Sequence, residues 1–198
     1  MGGAAYLPDL DGAGTASKVW GPITSVLARA IGVVAGGHRN RTHDLILAPI
    51  AFGVVVYLAS LNVWASLAVV ALAVGLAAEA VGRFLPGDWK SPGLNFLFSV
   101  TLAYTLVHGG YDWAWLPWCV AAGVVVHVFG DSITVAGVPV PLTTLTKRRP
   151  MWGIRLFTAG DERFEKPITI ACLIITVVAP VVYAFWPYLS KLIPGLGA

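Results

Sequence analysis

From Leu45 to Val81 the chain carries a single charged side chain, Glu79, and apolar runs of the same kind recur downstream. A membrane-spanning helix needs roughly 20 apolar residues. Five segments are read as spans: Leu45 to Val63, Trp64 to Val81, Leu94 to Val107, Trp113 to Gly130, and Ile168 to Leu189. The third is short, and Pro180 and Pro187 should kink the fifth or end it early. Upstream, Trp20, Ile23, Leu27, Ile31 and Val34 recur at helical spacing, which suits an interfacial or bundle-packed helix from Trp20 to Val34. The expected fold is all-α: a polytopic membrane helical bundle with about five spans and this additional N-terminal helix.

Composition agrees. Charged residues make up 12% of the chain and mean hydropathy is +0.77, whereas soluble domains carry about 25% charged residues. The length of 198 residues suits one domain. Within it, residues 1–19 form an acid-bearing N-terminal segment without the basic and apolar regions of a signal peptide, and residues 131–167 form the longest downstream loop. Cys119 and Cys172 lie in apolar runs without metal or disulfide spacing and read as packed thiols.

The net charge of +3 is grouped beside apolar segments. No basic surface able to track nucleic acid is expected, and the charge reads as topology. Lys18, Arg29, Arg39 and Arg41 precede the first span, Arg83 and Lys90 follow the second, and Lys147, Arg148, Arg149, Arg155, Arg163 and Lys166 separate the fourth from the fifth. The turns near Asn62 and from His108 to Asp112 contain no Lys or Arg. The positive-inside rule places the basic set in the cytoplasm, which puts the start of the first span and the end of the fourth on one face.

Two histidine-acid clusters sit at those ends. His38 and His43 precede the first span, with Asp44 beside them, and His127 and Asp131 close the fourth. His127 and Asp131 are four residues apart, so a continuing helix directs both toward a common ion. Imidazole with carboxylate suits zinc, and also manganese or iron. The spacing alone has little specificity: His108 and Asp112 share it, but two glycines separate them and the topology puts them on the other face. Ionisable groups at membrane depth are costly and tend to be paired or functional.

Upstream, Asp9 and Asp11 flank Leu10 in a turn favoured by Pro8 and Gly12, and both carboxylates can serve one ion or bridge two. Thr42 or Asn40 is a suitable cap for the helix starting near Asp44. Arg41 reads as a topology anchor. Arg39, between two histidines, suits a phosphate or carboxylate oxygen. Glu79 is placed to pair with Arg83, and Asp161, Glu162 and Glu165 default to surface ion pairs in the basic loop.

Taken in order, Pro8-Asp9-Leu10-Asp11, His38-Arg39 with Thr42-His43, His127-x-x-x-Asp131 followed by Thr134, Gly137 and Pro141, and Thr158-Ala-Gly160 with Glu165 resemble the YdjM-like membrane-bound metal-dependent hydrolases. That group is itself distantly similar to the zinc-dependent phospholipase C and P1 nuclease enzymes. The resemblance implies Asp9, Asp11, His38, His43, His127 and Asp131 as ligands of one or more divalent ions, and a phosphoester substrate. It also implies a prokaryotic inner membrane. Members usually begin with a further apolar helix bearing a Thr-His pair, and Asp44 stands where a small hydroxyl residue is common. Asp44 is therefore a candidate additional ligand or a partner for His43.

The expected activity is metal-assisted hydrolysis of a phosphoester in a lipid or lipid-linked substrate at the cytoplasmic face. Arg39 holds the anion, and one of Asp11, Asp44 or Glu165 acts as base. The alternative is a non-enzymatic transporter or metal-binding membrane protein, whose ion path should continue through the bilayer. Only Glu79 stands out as an ionisable group within the apolar spans.

Overall fold

The computed structural model describes residues 3–12, 14–82, 91–110, 113–146, 150–158, 163, 167 and 170. The chain divides into two compact units, Met1–Leu156 and Phe157–Ala198. Among the described residues the first unit contains five α-helices: α1 (Pro22–Ala35), α2 (Leu47–Ser60), α3 (Val63–Gly82), α4 (Pro92–His108) and α5 (Leu116–Ile133). Short 3-10 turns at Ala4–Tyr6, Pro8–Asp11, Ala16–Lys18, Arg41–His43 and Thr143–Leu145 connect or precede them. A two-stranded antiparallel ribbon, β1 (Val138–Pro139) with β2 (Met151–Trp152), is the one departure from the all-α expectation among the described residues.

α1 and α4 bury small or polar side chains and turn larger apolar ones outward, whereas α3 and α5 also bury Leu76, Leu116 and a row of valines. In α1 the buried residues are Thr24, Ala28 and Ala35, whereas Ile23, Leu27 and Val34 are exposed. Of the apolar stripe, Trp20 and Ile31 pack against the core while Ile23, Leu27 and Val34 face out, which agrees with the interfacial alternative for Trp20–Val34 better than with a fully bundle-packed helix. In α4, Asn95, Ser99 and Ala103 are inside while Leu94, Leu97 and Phe98 are outside. Small residues let backbones approach closely, and large apolar side chains cost nothing against lipid tails. A soluble protein would rarely expose so much contiguous apolar surface.

Of the expected spans, α3 and α5 are long and apolar enough to cross a membrane. α2 has only 14 residues, about 21 Å at 1.5 Å per residue, short of the roughly 30 Å hydrocarbon core. Its boundaries have local causes. Asp44 Oδ1 accepts from the N–H groups of Ile46 and Leu47, both at 3.0 Å, so Asp44 caps α2 in place of Thr42 or Asn40. Asn62 Oδ1 accepts from the N–H groups of Trp64 and Ala65 and caps α3. Apart from Ile170, the segment from Ile168 to Leu189 lies outside the described residues, as do Arg83, Lys90, Asp112, Lys147, Arg148, Arg149, Asp161, Glu162 and Glu165.

The N-terminal segment is part of the core. Ala4, Leu7 and Leu10 are buried, and the first turn packs on α5 and α3 while the Pro8–Asp11 turn packs on α1. The contact is made at glycines: a Cβ on Gly3 would lie 1.8 Å from the Ala73 carbonyl oxygen, and one on Gly123 would lie 2.8 Å from Ala4 Cβ. α2 packs along α5 and α3 along α4. Asp9 and Asp11 are thereby carried between helices.

Candidate metal centre

Three elements converge on one cluster. The Pro8–Asp11 turn is anchored by Leu10, which is fully buried, and this leaves its two carboxylates flanking the anchor. α1 ends where Gly36 adopts φ +80°; the Gly36 N–H reaches Val33 O at 3.2 Å and the Gly37 N–H reaches Gly32 O at 2.9 Å. This pair of bonds is the usual glycine termination of a helix, and it releases the chain at His38. Arg39 follows with φ +53°, a left-handed conformation unusual for a residue with a side chain. The Arg41–His43 turn then delivers His43, which is fully buried. α5 continues through Asp131 to Ile133, so His127 and Asp131 share a helical face and the following loop begins at Thr134.

His43 and His127 each approach the other and the carboxylates of Asp9 and Asp131. His43 Nε2 lies 3.4 Å from His127 Nε2, 3.7 Å from Asp9 Oδ1 and 3.5 Å from Asp131 Oδ2. His127 Nε2 lies 3.6 Å from Asp9 Oδ1 and 3.9 Å from Asp131 Oδ2. Four ligands placed tetrahedrally at zinc bond lengths of about 2.0–2.1 Å are separated by about 3.3–3.4 Å, so the separations made by the two histidine nitrogens are compatible with ligands of a common ion. Asp131 Oδ2 is buried without a hydrogen-bond partner, a costly state for a carboxylate that a cation would relieve. Asp9 responds to the same crowding. Burial raises its pKa, but the electrostatic influence of the neighbouring imidazoles of His43, His127 and His38 outweighs burial and holds it below the ordinary value.

Asp11 occupies a different place from the one expected of a ligand. Its side chain is fully buried; Oδ1 lies 2.6 Å from His38 Nδ1, and Oδ2 accepts from the Thr42 hydroxyl. That hydroxyl has one proton, so its oxygen is left to accept from His43 Nδ1 at 3.1 Å. His43 Nε2 then carries the lone pair that faces the cluster. Asp11 and Thr42 together orient a histidine, as outer carboxylates commonly do around metals. Thr42 was read from sequence only as a cap; its position between an aspartate and a histidine became visible only through packing.

His38 stands at the rim, with a side chain 49% exposed. Its ligand atom falls within 4.8 Å of those of Asp9 and His43, and a second set comprises His43, His127 and Asp131. Asp44 is not in these sets. Its Oδ1 caps α2, and Oδ2 accepts from the Leu142 N–H at 2.7 Å and the Thr144 hydroxyl at 2.9 Å, so its acceptor positions are engaged and the ligand and base readings are replaced by a structural role. Arg39 Nη2 is 3.4 Å from Asp131 Oδ2, while its Nη1 is buried without a partner. His108 is outside the sets and stacks on Tyr104 with centroids 4.1 Å apart. Glu165 lies outside the described residues.

Over residues 1–191 the chain matches the family of YdjM inner membrane proteins, and it belongs to that family. No curated protein and no solved structure gives a significant match. The chain is an inner membrane protein.

Proposed function

We propose that this inner membrane protein is a divalent-metal-dependent hydrolase acting at the cytoplasmic face on a phosphoester of a lipid or lipid-linked substrate. The observation that carries this reading is the approach of His43 Nε2 and His127 Nε2 to each other and to both Asp9 Oδ1 and Asp131 Oδ2, at separations of 3.4–3.9 Å. These four would hold a zinc ion, with manganese or iron as other suitable occupants. When bound, such an ion would lower the pKa of its water to about 7 and polarise the substrate oxygen.

The remaining roles follow from what each side chain has free. Asp11 fixes His38 through Nδ1, so His38 presents Nε2 at the exposed rim and is suited to take a proton from water. This assignment replaces Asp11 and Asp44 as bases, because their oxygens are engaged. Arg39, with a buried and unpartnered Nη1, offers donors to an anionic oxygen. The cytoplasmic orientation rests on Arg39 and Arg41 ahead of α2 and on the basic residues that follow α5. A transporter reading needs charges along a path, and among the described residues Glu79 is the one acidic side chain within α1 to α4.

The test is metal analysis of the detergent-purified chain alongside a screen of phospholipid and phosphoester hydrolysis. His127→Ala should lose metal and turnover together, whereas His38→Ala should keep metal and lose turnover. Hydrolysis at the wild-type rate by metal-free His127→Ala would overturn the proposal.

A further inference from the structure

The segment following α5 is apolar on its outside and firmly held on its inside. Val138, Pro139 and Thr144 are buried, whereas Leu142, Leu145, Met151, Trp152, Ile154 and Leu156 are exposed, Leu145 by 63% and Trp152 by 49%. The exposed set is not a loose loop. The Ile154 N–H reaches Ser132 O at 2.7 Å and the Leu156 N–H reaches Ile133 O at 2.9 Å, tying the far side of the ribbon to the end of α5. Asp44 pins Leu142 and Thr144 to the start of α2. A fixed apolar surface with an exposed tryptophan is poorly suited to water and well suited to the boundary between headgroups and acyl chains.

Charge selects among membranes. From Val135 to Leu156 the sequence contains Lys147, Arg148, Arg149 and Arg155 and no acidic residue. Arg155 is exposed beside Ile154 and Leu156, and a net basic sequence of this kind is attracted to anionic lipid and released by salt. Val126 and Phe129, on the last turns of α5 before this segment, are exposed as well.

We propose that the surface made by Leu142, Leu145, Met151, Trp152, Ile154 and Leu156 is a lipid-docking surface that seats in the headgroup layer of an anionic bilayer. The Ser132 and Ile133 carbonyls that hold Ile154 and Leu156 directly follow Asp131, so docking sets the candidate metal cluster at headgroup depth. The inference rests on the membrane location of the chain and is independent of the hydrolytic reading.

The test uses the full chain with Cys119 and Cys172 replaced by Ser, carrying either Leu145→Cys or Trp152→Cys with a nitroxide attached. In vesicles containing phosphatidylglycerol, oxygen should reach both labels far more readily than a water-soluble nickel chelate, and the contrast should shrink in phosphatidylcholine alone. Free access of the chelate in phosphatidylglycerol would overturn the proposal. So would exclusion of both probes, which would mean that protein covers the surface, and an equal contrast in the two lipids would overturn the anionic preference. If the cysteine-free chain fails to fold, quenching by brominated phosphatidylglycerol of the emission lost in Trp152→Phe gives the same decision: quenching supports docking and its absence overturns it.

Discussion

Two buried polar clusters occupy this fold, and they differ in how completely they satisfy themselves. Between α3 and α4, Asn95 Nδ2 donates to Gly75 O at 3.1 Å, while Asn95 Oδ1 accepts from Trp20 Nε1 at 3.1 Å and from the Ser99 hydroxyl at 3.0 Å. Donors meet acceptors, and the network closes. Around His43 the facing atoms are two imidazole nitrogens and two carboxylate oxygens, with Asp131 Oδ2 and Arg39 Nη1 left without hydrogen-bond partners. Both clusters are buried among helices, but only the second is arranged as acceptors around a common centre. Burial of polar groups marks a packing device when the bonds close, and a candidate ligand site when like groups face one another.

The contrast can be broken most severely at His43, which belongs to both candidate ligand sets. His43→Ala should lower metal affinity by more than about 100-fold, since even outer partners of ligands are worth about 10–100-fold; titration with a competing zinc chelator checks this. In the closed cluster, Asn95→Ala should leave metal content unchanged and lower stability by about 1–3 kcal/mol, because Trp20 Nε1 and Gly75 O lose their partner. Thermal unfolding in detergent, with metal content measured beside it, separates the two effects. A loss of metal in Asn95→Ala would erase the distinction.

Thr42→Val sharpens the comparison inside the open cluster. It keeps the shape and removes the hydroxyl linking Asp11 to His43, so metal affinity should fall about 10-fold while the fold persists. An unchanged affinity would show that His43 is oriented without Thr42. The smallest effect is expected at His108→Ala, with metal binding retained and stability within about 0.5 kcal/mol of the parent, since this exposed residue contacts mainly Tyr104.

The helical character and the convergence of His38, His43, His127 and Asp131 were legible in the sequence, because apolar run length and basic-residue placement act over the whole chain. The depth of the N-terminal segment was not. Its buried residues Leu7 and Leu10 follow no helical or strand period, and its close approach to the helices is made at Gly3 against Ala73 and at Gly123 against Ala4, glycines whose significance depends on what approaches them. Asp44 was misassigned for a related reason: its partners Leu142 and Thr144 are about a hundred residues away, and no local pattern announces them. The outward apolar face of α1 follows from reversing the soluble-protein rule once lipid is the solvent.

The central claim is that Asp9, His43, His127 and Asp131 hold one ion between them. X-ray absorption at the zinc edge, on the zinc-loaded chain and on His43→Ala, tests it most directly. The account predicts a first shell of nitrogen and oxygen at about 2.0–2.1 Å with two imidazoles in the parent, and loss of that shell in the variant. Stoichiometric zinc with an unchanged spectrum in His43→Ala would contradict it.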